Sequence, residues 1–108
     1  MAYDEGLAQR LREQLAEHEV VEKKMFGGLA FMLQGHMACG VSGDDLMLRV
    51  GPEAHEEALA RPHARPMDFT GKPLRGFVYV DAEGFAEDED LAEWVAMSTR
   101  FALSLPPK

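Results

Sequence analysis

Residues 29–41, LAFMLQGHMACGV, hold two short apolar runs separated by Gln34-Gly35. Apolar runs joined by a two-residue step with glycine in second position are typical of a β-hairpin. A second turn signal at 42–45, SGDD, leads into a third apolar run at 46–50, LMLRV. Because these segments are adjacent and their turns are short, we expect them to pair as an antiparallel sheet.

Helical periodicity flanks these strands. Leu7, Leu11 and Leu15 recur at intervals of four and predict a first helix over residues 4–18. A short second helix is expected at 54–61, because a proline follows directly and ends it.

A third helix is expected near the C-terminal end of the sequence. Asp88 or Asp90 supplies a cap for its start. Its expected buried face comprises Leu91, Trp94, Val95, Ser98, Phe101, Ala102 and Leu105. The largest side chains that we expect in the core of the whole domain are Phe26, Phe31, Val78, Trp94 and Phe101.

Three further segments complete the expected sheet. Residues 23–26 are strand-like, residues 65–69 are weakly extended, and residues 76–80, GFVYV, are rich in β-branched and aromatic side chains. The resulting order, α-β-β-β-α-β-β-α, predicts an α+β fold with helices packed against an antiparallel sheet of about five strands. Since no repeat or linker-like stretch interrupts the chain, we expect one domain over residues 1–108.

Composition and charge exclude several classes of protein. With 19 Asp and Glu against 11 Lys and Arg, the net charge of −8 opposes direct nucleic-acid binding by the whole surface. The single cysteine, Cys39, excludes an intramolecular disulfide. Residues 1–5 are acidic where a secretory signal is basic, and no apolar run reaches the roughly 20 residues that span a bilayer. We therefore expect a cytoplasmic protein without membrane association.

A resemblance to a known family is carried by segments spread over almost the whole chain. These segments are 24–31 (KMFGGLAF), Gly40-Val41, 44–50 (DDLMLRV), 64–67 (ARPM), 76–80 (GFVYV), Leu91 and Trp94. Together and in this order they resemble the TfoX N-terminal domain, the first half of the bacterial competence regulators called TfoX or Sxy. The family motif has Met25, Phe26, Gly27 and Gly28 at its centre.

The resemblance implies a non-catalytic α+β domain connected with the transcriptional activation of competence genes. In that family the full-length regulators act with the cAMP receptor protein. They also carry a second, helical domain, and we expect these 108 residues to hold the first domain alone.

Several residues of types that often carry chemistry have structural interpretations here. Gly27-Gly28 precedes a strand and lacks the Lys-Ser/Thr ending of a phosphate loop, so a turn or bulge is expected. His36 and Cys39 are three apart, which on a regular strand places them on opposite faces, and one cysteine is too few for most structural zinc sites. Cys39 is expected to be a small buried residue and not a nucleophile. We expect no metal site, no cofactor and no catalytic residue.

Acidic pairs and methionines also have structural interpretations. Asp44-Asp45 fits a hairpin turn, and the run at 87–90, EDED, fits a solvated helix start. The methionines at 25, 32, 37 and 47 are expected to fill the core, with an adaptable partner-binding surface as the alternative.

One stretch of the sequence has more cations than acids. Residues 61–80 hold four Lys and Arg residues and a single acid, between two acidic regions. The candidate set for binding a partner or an anion is Arg49, Arg61, Arg65, Lys72 and Arg75. A solvated surface is the alternative.

Two functions from different classes are consistent with these features. The first is a non-catalytic regulatory module that binds a protein partner, in its most specific form part of the transcription machinery. Its sheet edges also leave room for a homodimer. The second is a small-molecule-binding protein or minor enzyme that holds an anionic ligand in a Met-rich cleft lined by the candidate cations. The resemblance and the lack of a catalytic pattern favour the first.

Overall fold

The computed structural model describes residues 3–25, 27–67 and 74–107, and of Met25 it describes the backbone only. The elements in chain order are α1 (Glu5–Gln14), β1 (Val20–Met25), β2 (Gly28–Leu33), β3 (His36–Ser42), β4 (Asp45–Arg49), α2 (His55–Leu59), β5 (Ala64–Pro66), β6 (Phe77–Val80) and α3 (Asp88–Ser104). A 3₁₀ turn at Ala82–Phe85 precedes α3. The α+β class is confirmed. No helix in these ranges combines the length and apolar character needed to cross a bilayer.

Within the described residues the sheet has six strands in the order β1-β2-β3-β4-β6-β5, and every neighbouring pair is antiparallel. The expected number of about five is one too low. Four strands, not three, precede α2, because Val20–Met25 forms a full strand against β2. The weakly extended segment at 65–69 contributes a three-residue edge strand at Ala64–Pro66, and residues 68 and 69 lie outside the described ranges.

Two-residue turns set the register of β2, β3 and β4. Gln34 and Gly35 both have positive φ, 53° and 87°, as a type I′ hairpin requires. Gly43, with φ of 57°, stands first in the turn between β3 and β4. The expected hairpin at Gln34-Gly35 is therefore confirmed. So is the turn near Asp44-Asp45, although Asp45 already belongs to β4.

The three helices pack on one face of the sheet and form the main core with it. Its fully buried members include Leu11 of α1, Phe31 of β2 and Leu91 of α3. The first helix begins at Glu5 because Asp4 Oδ1 accepts the N–H of Gly6 at 2.8 Å. It ends at Gln14, earlier than expected, because residues 15–18 form the turns that bring the chain into β1.

The opposite face of the sheet carries a second, smaller apolar cluster. Met37 and Met47 are buried there together with Met67, which follows β5. Phe77 and Tyr79 of β6 pack beside them and are half-buried. The expected core-filling role of the methionines is thus confirmed for Met37 and Met47.

A β-bulge in β3 changes which of its side chains face the helices. The register with β2 slips by one residue at Ala38, so that Ala38 and Cys39 both face the helix side, where Ala38 packs with Ala102. His36 faces the same side, and its Nε2 lies 2.7 Å from the carbonyl oxygen of Pro106. The expectation that His36 and Cys39 lie on opposite faces is therefore wrong, because it assumed a regular strand.

The prediction of the largest core side chains is confirmed in part and is wrong at the end of α3. Three of the expected residues are buried, namely Phe31, Val78 and Trp94. Phe101 is only half-buried, because its ring covers Gly51 at the sheet end and faces the guanidinium of Arg49. Phe26 lies outside the described residues.

Candidate functional site

A groove of about 420 Å³ lies between α2 and α3. Its apolar lining consists of Val50, Pro52, Ala54, Met97 and Phe101. Its polar lining consists of Glu53, Glu57, Arg100 and Ser104, all of which are exposed. We call it the α2–α3 groove.

The segment between β4 and α2 shapes one wall of the α2–α3 groove. Gly51 has φ of 88°, and the ring of Phe101 occupies the position where a Cβ on Gly51 would lie, so glycine is required there. The N–H groups of Val50 and Gly51 both donate to the carbonyl oxygen of Gly76, at 2.7 and 3.2 Å. This wall is consequently fixed to the turn that leads into β6.

His55, the first residue of α2, holds the same wall from inside. It is buried, and its Nδ1 accepts the backbone N–H of Gly76 at 2.9 Å. Nδ1 is the acceptor in this bond, which leaves Nε2 as the ring nitrogen that can donate. This bond fixes the start of α2 to the turn before β6.

Replacing His55 with alanine is expected to lower the free energy of unfolding by about 1–3 kcal/mol, because the buried N–H of Gly76 loses its acceptor. The control is His55→Asn, whose side-chain oxygen takes the place of Nδ1 and is expected to retain most of the stability. Chemical denaturation followed by circular dichroism measures both variants. Equal losses would mean that His55 contributes packing alone.

A second recess, of about 280 Å³, lies where the start of α3 meets the turn after α2. Trp94 forms part of its wall and donates its indole N–H to the carbonyl oxygen of Gly84 at 3.2 Å. The guanidinium of Arg61 lies 5.3 Å from the centre of the Trp94 ring and pairs with Glu93 at 3.3 Å. His63, with φ of 71°, lines the same recess. The charge of Arg61 is thus already balanced by a neighbouring carboxylate.

The structure divides the predicted cations between the two sides of the sheet. The strand ladder sets Arg49 opposite Phe77 and Arg65 opposite Tyr79, so both side chains start on the face opposite the helices. At the end of the sheet the guanidinium of Arg49 also reaches the ring of Phe101 in α3. Arg61 lies on the helix side, at the recess with Trp94. These three arginines do not converge on one surface.

Arg65 of β5 contacts one residue of β4, one residue of β6 and the residue that follows β6. Its guanidinium contacts Asp45 at 2.7 Å and Asp81 at 2.8 Å, and lies 5.3 Å from the ring centre of Tyr79. The hydrogen bond with Asp45 contributes most to raising the pKa of Arg65, and the bond with Asp81 raises it further. The guanidinium of Arg65 therefore already has two carboxylate partners in the same chain.

The remaining predicted cations have different surroundings. The guanidinium of Arg49 lies 5.6 Å from the ring centre of Phe77 and 5.2 Å from that of Phe101. Arg75 is exposed in the turn before β6. Lys72 lies outside the described residues.

Cys39 lies in the main core under α3. Burial raises the pKa of its thiol to about 12, and the nearby Ser98 hydroxyl only partly opposes this effect. The thiol is therefore protonated at neutral pH and closed off from solvent. Within the described ranges, no three His, Cys, Asp or Glu side chains form a group that would hold a metal ion.

Gly27 and Gly28 form the entry into β2. Gly27 has φ of 74°, and a Cβ on Gly28 would overlap the backbone of Val41 in β3. The structural interpretation of this pair is confirmed. Of the other two motif residues, the side chain of Met25 and the whole of Phe26 lie outside the described part of the chain.

The α2–α3 groove was not anticipated from the sequence. Phe101 was expected in the core, and neither Glu57 nor Arg100 had an assigned role. A groove between two helices depends on how they pack, which residue spacing does not report. The one local signal was Gly51-Pro52, a glycine and a proline directly before the short helix.

Comparison with known proteins gives one match. Residues 13–102 match the family model of the TfoX N-terminal domain, which includes every strand and all lining residues of the α2–α3 groove except Ser104. Neither the curated proteins nor the solved structures contain a match to this chain.

Proposed function

The chain belongs to the TfoX N-terminal domain family, and from this premise we propose that it is a non-catalytic regulatory module that acts by binding another protein. The family match over residues 13–102 carries the proposal. In its most specific form, the partner belongs to the transcription machinery.

The α2–α3 groove supports a protein partner by its shape and chemistry. Its apolar part, with Met97 and Phe101, suits an apolar side chain of a partner segment, and its volume of about 420 Å³ is large enough to enclose one. Glu53 and Glu57 on the α2 side are exposed and favour a basic residue beside that anchor. The net charge of −8 adds a long-range attraction for a basic segment.

The surroundings of the cations and of the thiol support binding over nucleic-acid contact or catalysis. Arg61 and Arg65 are paired with carboxylates of the same chain, so neither is poised for a phosphate. Cys39 is buried and protonated, which does not suit a nucleophile.

Affinity capture from a bacterial lysate, with identification by mass spectrometry, tests this function. We expect the wild-type chain to retain a specific protein, and Glu53→Lys combined with Glu57→Lys to lose it. The control is Glu13→Lys combined with Glu89→Lys, which changes the net charge equally at two exposed positions elsewhere.

The outcomes distinguish whether the chain binds a protein at all from whether it binds that protein at the α2–α3 groove. Retention of the same partner by all three proteins would place the contact outside the α2–α3 groove. If the wild-type chain retains no specific protein, the protein-binding function itself is wrong.

A further inference from the structure

The two edges of the sheet differ in how well they are protected. β5 has three residues and ends at Pro66, which has no N–H to donate to a further strand. β1, at the other edge, has six residues without a proline and in the described part of the chain pairs only with β2. Its outer backbone groups therefore offer the longer open edge.

The charge order along this edge is self-complementary. Residues 19–24, EVVEKK, which we call the β1 edge, begin with Glu19 and end with Lys23 and Lys24, around Val20-Val21. An antiparallel copy of the same segment brings the acidic start of one strand beside the basic end of the other. We propose that the β1 edge binds a second copy of this chain, joining the two sheets by antiparallel pairing of β1 with β1.

The face of each side chain selects the register of this pairing. Residues directly opposite in an antiparallel pair share a face, so a two-fold axis must pass through a residue position. An axis at Glu22 or at Lys23 would place like charges opposite each other, which is destabilising. An axis at Val20 would set Lys23 opposite residue 17, which lies in the turn before β1, and Glu19 opposite Val21. An axis at Val21 places the two Val21 side chains together and sets Glu19 opposite Lys23 of the second copy.

This register also explains two features of the β1 edge. Lysine on an edge strand ordinarily prevents pairing with another chain, but here the carboxylate of Glu19 on the second copy balances Lys23. Glu22, which lies on the helix face, is held by Arg12 of its own chain through two bonds of 2.8 and 2.9 Å. It is therefore not needed for contacts between the copies.

Exposed apolar surface lies at the same place. Val21 and Leu103 are the large hydrophobic residues found exposed in the described part of the chain, at 62% and 43%. Both line one groove of about 470 Å³, whose rim carries Glu17 and Glu19. The second copy would cover Val21 and bring its Lys23 to Glu19.

Sedimentation analysis of the full chain at several concentrations and at low salt tests the pairing. We expect a monomer–dimer equilibrium in the wild type. Glu19→Lys alone and Lys23→Glu alone should each raise the dissociation constant by about tenfold, because two attractive pairs per dimer become repulsive. The double variant restores both pairs with reversed sign and should recover the wild-type constant.

Other results would overturn the proposal. A wild-type chain that stays monomeric at all concentrations excludes a second copy as the occupant of the β1 edge. A double variant that dimerises no better than either single variant excludes the pairing of residue 19 with residue 23. Neither result bears on the α2–α3 groove, because Glu53 and Glu57 are unchanged in these variants.

Disulfide formation tests the register independently. Opposite Cβ atoms in an antiparallel pair lie about 4.5–5.5 Å apart, close to the span of a disulfide, so oxidised Val21→Cys should form a covalent dimer. Cys39 is buried and does not compete. In Lys24→Cys the two cysteines would be six residue positions apart along the strands, about 20 Å, and should not link. A link through residue 24 without one through residue 21 would show that the register is wrong.

Discussion

Replacing Gly28 with alanine is expected to unfold much of the sheet, with a loss of about 3 kcal/mol or more in the free energy of unfolding. A Cβ at this position would overlap the carbonyl oxygen of Val41 and approach Ser42 Cα to 2.9 Å. Both obstacles are backbone of β3, so a rotamer change gives no relief. The strands would have to separate at the point where β2 begins.

The matched control is the neighbouring Gly27→Ala. At Gly27 a Cβ meets no atom within 4 Å, and only its φ of 74° opposes an L side chain. That conformational cost is about 1 kcal/mol. Thermal or chemical unfolding monitored by circular dichroism measures both variants. Equal effects at the two positions would mean that β2 and β3 are not as close at Gly28 as the structure has them.

Trp94→Ala is expected to cost about 3–5 kcal/mol, because it empties a large site in the main core between α3 and the sheet. Trp94 is 3% exposed, and its indole N–H is bonded to the carbonyl oxygen of Gly84. The guanidinium of Arg61 also loses the ring it covers. Denaturation followed by circular dichroism is the suitable measurement, since the variant has no tryptophan left to report fluorescence.

Trp94→Phe separates the two contributions of this side chain. It keeps an aromatic ring in the core but leaves the carbonyl of Gly84 without the indole donor, so a smaller loss of about 1–2 kcal/mol is expected. A loss below 1 kcal/mol in Trp94→Ala would contradict the burial of Trp94. It would also mean that Trp94 does not form a wall of the recess beside Arg61.

Local patterns predicted the centre of the sheet better than its edges. Gln34-Gly35 specifies its turn through the positive φ of two adjacent residues, and that information is contained in the two residues themselves. Residues 20–25 carry charges at three of six positions, because an edge strand exposes most of its side chains. The periodicity there is correspondingly weak, and the sequence predicts a strand at 23–26 where the structure has Val20–Met25.

The bulge at Ala38 shows a different limit of sequence reasoning. A register slip of one residue depends on how β2 and β3 meet, and it moves Cys39 and Ala38 to the same face. Alternation along a single strand cannot report it.

Two of the arginines in the predicted cation cluster pair with carboxylates that are distant in sequence. Arg61 and Arg65 are near each other in sequence, but their carboxylate partners are Glu93, Asp45 and Asp81, which are 16 to 32 residues away. A concentration of positive charge in the sequence therefore says little about free positive charge on the surface. Folding distributes these arginines over both sides of the sheet.

The order of strands implies an order of folding events. Successive strands of β1–β4 are separated by two residues each, so the contacts among them are local and the entropy lost in closing each turn is small. β6 pairs with β4 only after the long segment between Arg49 and Phe77 has been closed into a loop. We therefore expect the four-strand meander to form first and β5 and β6 to join it late. Amide hydrogens of β2 and β3 should then be the slowest to exchange, and those of β5 among the fastest in the sheet.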